Sequence, residues 1–246
     1  MKFPSLLNIA LIALLGLATV IRPALADEPA AAPEAKSADA QSKSDSDVQK
    51  KAADWTASLK LNDAAKEARV TQVIATHLKA IRDWHNDHSY TNVPAGVNPV
   101  TGKALSVLDR EMIADSAAPK SIHENLMSGL NKDLTPEQVE AVLDKYTVGK
   151  VAFTLNGYHS IVPDLTPEEE KTILGFLKQA REMAVDYKNI KQISAIFEIY
   201  KTKCEQYLNS NGRDWHKMYK AYTDTIKAKK AEAAKEAGGT NTVAKP

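Results

Sequence analysis

The sequence predicts an all-α (mainly α) protein: a single-domain bundle of about six to eight helices, with one long irregular loop and one short extended segment. Three observations carry that prediction. Apolar residues recur at helical spacing through most of residues 55–226. The pentapeptide Asp-Leu-Thr-Pro-Glu occurs twice, at 133–137 and 164–168, each time with the chemistry of a helix start. Alternation with the period of a strand is confined to one short stretch.

The first element of the body starts at Asn62 or Asp63 and carries Val70, Val73, Ile74, His77, Leu78, Ile81 and Trp84 or His85 on one face. His77 lies in the middle of that apolar face and reads as a core histidine. Residues 89–103 contain Pro94, Gly96, Pro99 and Gly102, which makes them the irregular loop. Shorter helical patterns follow at Leu105, Leu108 and Met112, and at Ile122, Leu126 and Leu130. In the first pentapeptide Thr135 is the N-cap, Pro136 sits at N1 where a missing N–H costs nothing, and Gln138 at N3 closes a capping box. Leu134 at N′ faces Val139 at N4 as a hydrophobic staple, and Val142, Leu143 and Tyr146 continue the apolar face.

Residues 148–155 alternate enough to predict the short extended segment. The second pentapeptide repeats the cap with Thr166, Pro167 and Glu169, and starts a helix from Pro167 to about Tyr187. Its N4 residue is Glu170, so the staple is missing. A helix over 189–209 ends near Gly212, and another begins near Asp214. The pentapeptides are 31 residues apart with no third copy and no alignable sequence between them. They read as two independent helix starts rather than as a repeat.

The flanks differ in composition. Residues 1–26 have the form of a signal peptide, with Lys2, an apolar run over 6–20, and Ala24-Leu25-Ala26 as the cleavage site. The expected location is therefore periplasmic or secreted, with no stable membrane insertion of the mature chain. Residues 27–54, rich in Ala, Pro and Ser, read as a disordered linker, 55–226 as the helical domain, and 227–246 as a polar C-terminal tail. Loss of Lys2 and Arg22 with the leader would leave 30 basic residues against 31 acidic ones. That balance implies neither nucleic acid nor an anionic membrane as a partner. Cys204 is the sole cysteine, so no intrachain disulfide exists, and its place in the rhythm Ile193, Ile196, Phe197, Tyr200, Cys204 marks it as packed and inert.

Candidate site residues come from a second repetition, Arg-Asp-Trp-His at 82–85 and 213–216. Arg82, Trp84, His85 and Trp215 offer what a sugar surface needs, an indole face for the ring and polar groups for hydroxyls. Chance repetition with both tryptophans packed in the core explains the same letters. His88 follows His85 by three residues, but a closed metal site would need further ligands, such as His123 or Glu124, brought in by the fold. No metal or cofactor is expected. Tyr158 and His159 form a weak candidate base and acid pair. Among the tyrosines, Tyr146, Tyr200 and Tyr207 are assigned to the core, and Tyr90, Tyr158, Tyr219 and Tyr222 are the candidates for ligand contact. Gly-rich phosphate loops, nucleophile elbows and His-Glu-x-x-His stretches are absent from the sequence.

Residues 66–70 with 81–83, 133–139, 149–151 with Tyr158, 161–166, 179–182 and 200–201 together give the body a resemblance to the exported bacterial family called domain of unknown function 3826. The resemblance implies secretion by polysaccharide-degrading bacteria and a role in binding sugars, and it brings no catalytic residues. Leu134-Thr135-x-x-Gln138 is also similar to a motif of small helical periplasmic chaperones, from which the second copy departs at Glu169. The functional expectation is a glycan-binding or accessory module in polysaccharide utilisation, with a possible glycan ligand as partner. A polysaccharide lyase or glycoside hydrolase, and a periplasmic chaperone or structural protein, are the alternatives.

Overall fold

The computed structural model describes residues 38–99 and 101–239, with side chains described over 40–99 and 101–235. The predicted leader, residues 27–37 of the predicted linker and the end of the tail lie outside the described residues. Nine α-helices and no strand occur among those described: α1 (Ala38–Ala57), α2 (Ala64–Asp87), α3 (Val107–Ser116), α4 (Lys120–Asp133), α5 (Pro136–Tyr146), α6 (Lys150–Ile161), α7 (Pro167–Ala184), α8 (Ile190–Ser210) and α9 (Trp215–Gly239). The all-α prediction is met.

Both pentapeptides start helices by the chemistry expected of them. Thr135 accepts from the Gln138 N–H while Gln138 accepts from the Thr135 N–H, and Thr166 and Glu169 do the same at α7. The staple residues Leu134 and Val139 are both buried. Asp63 caps α2, and Gly212, at φ 83°, follows the end of α8. Among the described residues of 89–103 the loop is irregular as predicted, with a 3₁₀ turn at Tyr90–Asn92 and an isolated bridge between Val97 and Ala104.

Two expectations are corrected. Residues 38–54 are not a disordered linker: α1 runs through them, buries Ala52 and packs on α2. Its few apolar residues suffice because charge holds it as well. Asp45 bonds both Lys79 (2.7 Å) and Arg82 (2.7 Å), and Ser44 accepts from Arg82 (2.9 Å). Residues 148–155 are not extended either; α6 begins at Lys150, after Val148 (φ 54°) and Gly149 (φ 66°) turn the chain through the left-handed region. The alternation arose because Val148 and Phe153 are exposed, while Val151, Leu155 and Tyr158 follow the helical period into the core.

The buried side chains form two clusters. One lies among α1, α2, α4 and α5, around Ile74, Leu126, Leu130 and Val142; the other lies among α6, α7 and α8, around Ile173, Leu177, Phe197 and Leu208. Cys204 is buried in the second, and burial pushes its thiol up to about 11, out of the reactive range. The first cluster is tight where α4 meets α2, because a β-carbon at Gly129 would come within 2.7 Å of the Val73 side chain. Between the clusters runs a seam of polar contacts. Arg181 of α7, fully buried, bonds Asp144 of α5 (2.8 Å), and Asp115 of α3 accepts from Gln192 of α8.

Candidate functional site

Two of the depressions left by this packing gather candidate side chains. The first is a groove of about 390 Å³ between α6 and α9, with the end of α8 as its floor. Trp215, Tyr219 and Tyr222 fall at i, i+4 and i+7 on α9, which puts all three rings on the face toward α6. Trp215 and Tyr219 are stacked, with centroids 5.9 Å apart, and Trp215 leans on Tyr158 at 5.2 Å. Phe153, 78 % exposed, forms the opposite lip. Besides the tyrosines, the polar groups are few: Thr154, Asn156, Ser160, Lys201 and Glu205. Burial raises the Glu205 carboxyl above its ordinary value, and Lys201 is occupied by Glu198 at 3.0 Å.

The second depression is a cleft of about 660 Å³ along the seam, walled by the end of α3, the start of α4 and the end of α7. Its organising group is Asp186, just past α7. Its Oδ2 accepts from Nδ1 of His123 (2.8 Å) and its Oδ1 from Nε2 of His77 (3.0 Å). Burial alone would raise the Asp186 carboxyl, but the two imidazoles hold it below its ordinary value. His123 moves up in turn, chiefly through its bond to Asp186, with Glu182 at 3.7 Å from Nε2 adding to the effect. A carboxylate that fixes Nδ1 leaves Nε2 free to exchange a proton. Asp115, in the same wall, accepts from Nδ1 of His85 (2.7 Å).

The predicted site residues do not meet in one place. Arg82 is buried and points back to α1, tying Asp45, Asp83 and Ser44 together. Trp84 donates Nε1–H to the Ala114 carbonyl (3.2 Å) and stacks on His88, with centroids 3.5 Å apart. His88 itself donates to the Trp84 carbonyl (2.9 Å). His85 stands behind the seam cleft through Asp115, and only His123 lines that cleft. Tyr90 lies under the Arg110 guanidinium, 5.5 Å away, in the loop after α2. Tyr158 and Trp215 belong to the groove, whereas His159, next to Tyr158, turns toward Glu170 (3.7 Å). Tyr158 is buried and donates its hydroxyl to the Lys201 carbonyl (3.2 Å), and burial pushes its ionisation well above the ordinary tyrosine value. It supports the groove rather than moving protons in it.

His85 and His88 do not share a ligand, and among the described residues no group of three or more His, Cys, Asp and Glu is placed to hold a metal ion. Sequence reasoning missed Asp186, which binds two histidines more than 60 positions away. Its one local signal is a carboxylate directly after the buried Ala184 and Val185.

No helix among the described residues is long and apolar enough to cross a membrane. A comparison with curated proteins finds no match. Residues 45–228, from within α1 into α9, match the family described as Protein of unknown function (DUF3826), and the chain belongs to that family.

Proposed function

We propose that the protein binds glycans in the groove between α6 and α9, as an exported binding or accessory module of carbohydrate acquisition. The observation that carries this reading is the row Trp215, Tyr219 and Tyr222, half-buried along one helix face, with Phe153 exposed across from it. Sugar rings present flat C–H faces that pack on aromatic rings, and their hydroxyls need only a few polar partners at the rim. Asn156, Ser160 and Glu205 supply those partners. A purely structural use of the row would bury it, as Tyr158 is buried beneath it.

Retention of the full chain on an array of pectic, hemicellulosic and algal glycans tests the proposal. Saturable binding without product is expected, lost on Trp215→Ala with helix content unchanged. A blank array, or binding untouched by that change, rejects it. The lyase or hydrolase reading has less to rest on, because Tyr158, His159, His85 and His88 do not line the cleft that holds His123.

A further inference from the structure

We propose, resting on the glycan reading of the groove between α6 and α9, that it admits neutral sugar chains and turns away chains of uronic acid, with Glu205 on its floor as the residue that makes the choice. Besides the tyrosines, the ionisable side chains lining the groove are Lys201 and Glu205, both on α8. Lys201 has its charge already spent, because its Nζ donates to both carboxylate oxygens of Glu198, at 3.0 and 3.1 Å. Glu205 has no such partner. It is half-buried, no described residue donates a hydrogen bond to it, and neither of its oxygens is sealed from solvent.

A sugar hydroxyl is a donor, and a carboxylate oxygen without one is an acceptor that a neutral chain can satisfy by a charge-assisted hydrogen bond. A uronate ring laid on the same aromatic row brings a second carboxylate toward the first. Trp215 and Ile161 make the walls apolar there, so the two negative charges meet where water screens them less than at an open surface. With Lys201 held by Glu198, no lining cation offsets them. Repulsion of the wrong ligand adds to attraction of the right one, and selectivity is the difference between the two. The aromatic row by itself treats a hexose and its uronate alike, since both offer the same C–H face.

Hexasaccharides of glucose, mannose and galactose, each in its neutral form and oxidised at C6 to the uronate, test this by calorimetric titration of the full chain at mildly alkaline pH, where Glu205 is ionised. The linkage is the same within each pair and only the charge changes. At least one neutral chain is expected to bind, its uronate about tenfold or more weakly. Glu205→Gln keeps the shape of the side chain and removes a charge that burial penalises, so the fold is retained, and the gap between the two forms should close to about threefold or less. Added salt should narrow the gap in the wild type and not in the variant. A uronate bound as tightly as its neutral twin, or a gap that Glu205→Gln leaves in place, overturns the selectivity and leaves the glycan reading standing. Binding of neither form of any chain overturns the selectivity as well, and the fate of the glycan reading is then read from the wider array.

Discussion

In the first Arg-Asp-Trp-His copy, within the last two turns of α2, Arg82 reaches back to α1, Trp84 is bonded to α3 and His85 backs the seam cleft. In the second, which straddles the start of α9, Arg213 clamps the cap of α7, Asp214 accepts from the Lys217 N–H, and Trp215 opens the helix with part of its ring free over the groove. In the first copy each of the four side chains is held by a hydrogen bond. At a helix start two of them are spent on the cap and the third faces outward. The same letters therefore give a strut in one place and a surface in the other, and the difference lies in what packs beside them.

The largest effect expected from breaking this comparison is on stability. Trp84→Ala should cost roughly 3 kcal/mol in chemical denaturation, because it removes a packed ring and the indole hydrogen bond to the Ala114 carbonyl. Trp215→Ala should cost clearly less while abolishing retention on glycans. Equal losses of stability, or a binding defect in both, would dissolve the distinction between strut and surface.

Next in size is the Arg213 clamp. Glu169 takes Arg213 in a two-pronged contact (2.8 and 2.7 Å) while also closing the capping box of α7, and Asp164 accepts from the same guanidinium at 2.9 Å. Arg213 is the main reason that the Glu169 carboxyl is held down to about 2 from its usual 4.5. A depressed carboxylate stabilises the fold above its unfolded value and loses that contribution as pH falls from about 4.5 toward 2. Glu169→Gln keeps a side chain that caps equally well, as Gln138 does in the other copy, and removes only the charge. A loss of roughly 1–2 kcal/mol at neutral pH, with a shallower acid limb in thermal melts, is expected.

The His123–Asp186 pair should behave with the opposite sign. Its raised imidazole stabilises the fold below about 6.5 and loses that contribution as pH rises through the higher folded value. Melts of His123→Gln and of the wild type between pH 5.5 and 8.5 should converge toward the alkaline end; a constant gap would exclude the pair as their source. The smallest effect is expected at Val148, a β-branched residue at φ 54° and 75 % exposed. Val148→Gly should raise stability by about 1 kcal/mol in the same denaturation assay.

Elements whose signals are local were legible in the sequence. The caps at Thr135 and Thr166 involve residues three apart, and the apolar face of α2 repeats within its own length. The first helix was not legible, because Val48, Ala52 and Trp55 are its only strong apolar marks and its anchors, Lys79 and Arg82, lie far along the chain. The sixth was hidden by exposed Val148 and Phe153. For the sites, Trp215 with Tyr219 and Tyr222 could be read as helix spacing, whereas the meeting of His77, His123 and Asp186 depends on three separate elements coming together.

Gly129 stands two turns along α4 from His123, and Val73, which it meets, stands one turn along α2 from His77. The missing side chain thus acts as a spacing gauge for the two helices that carry the imidazoles shared by Asp186. A methyl group there would wedge α2 and α4 apart at a point well removed from the seam. Gly129→Ala is accordingly a handle on the width of the cleft that touches none of its lining, and the His123 titration would register how far the wedge is transmitted.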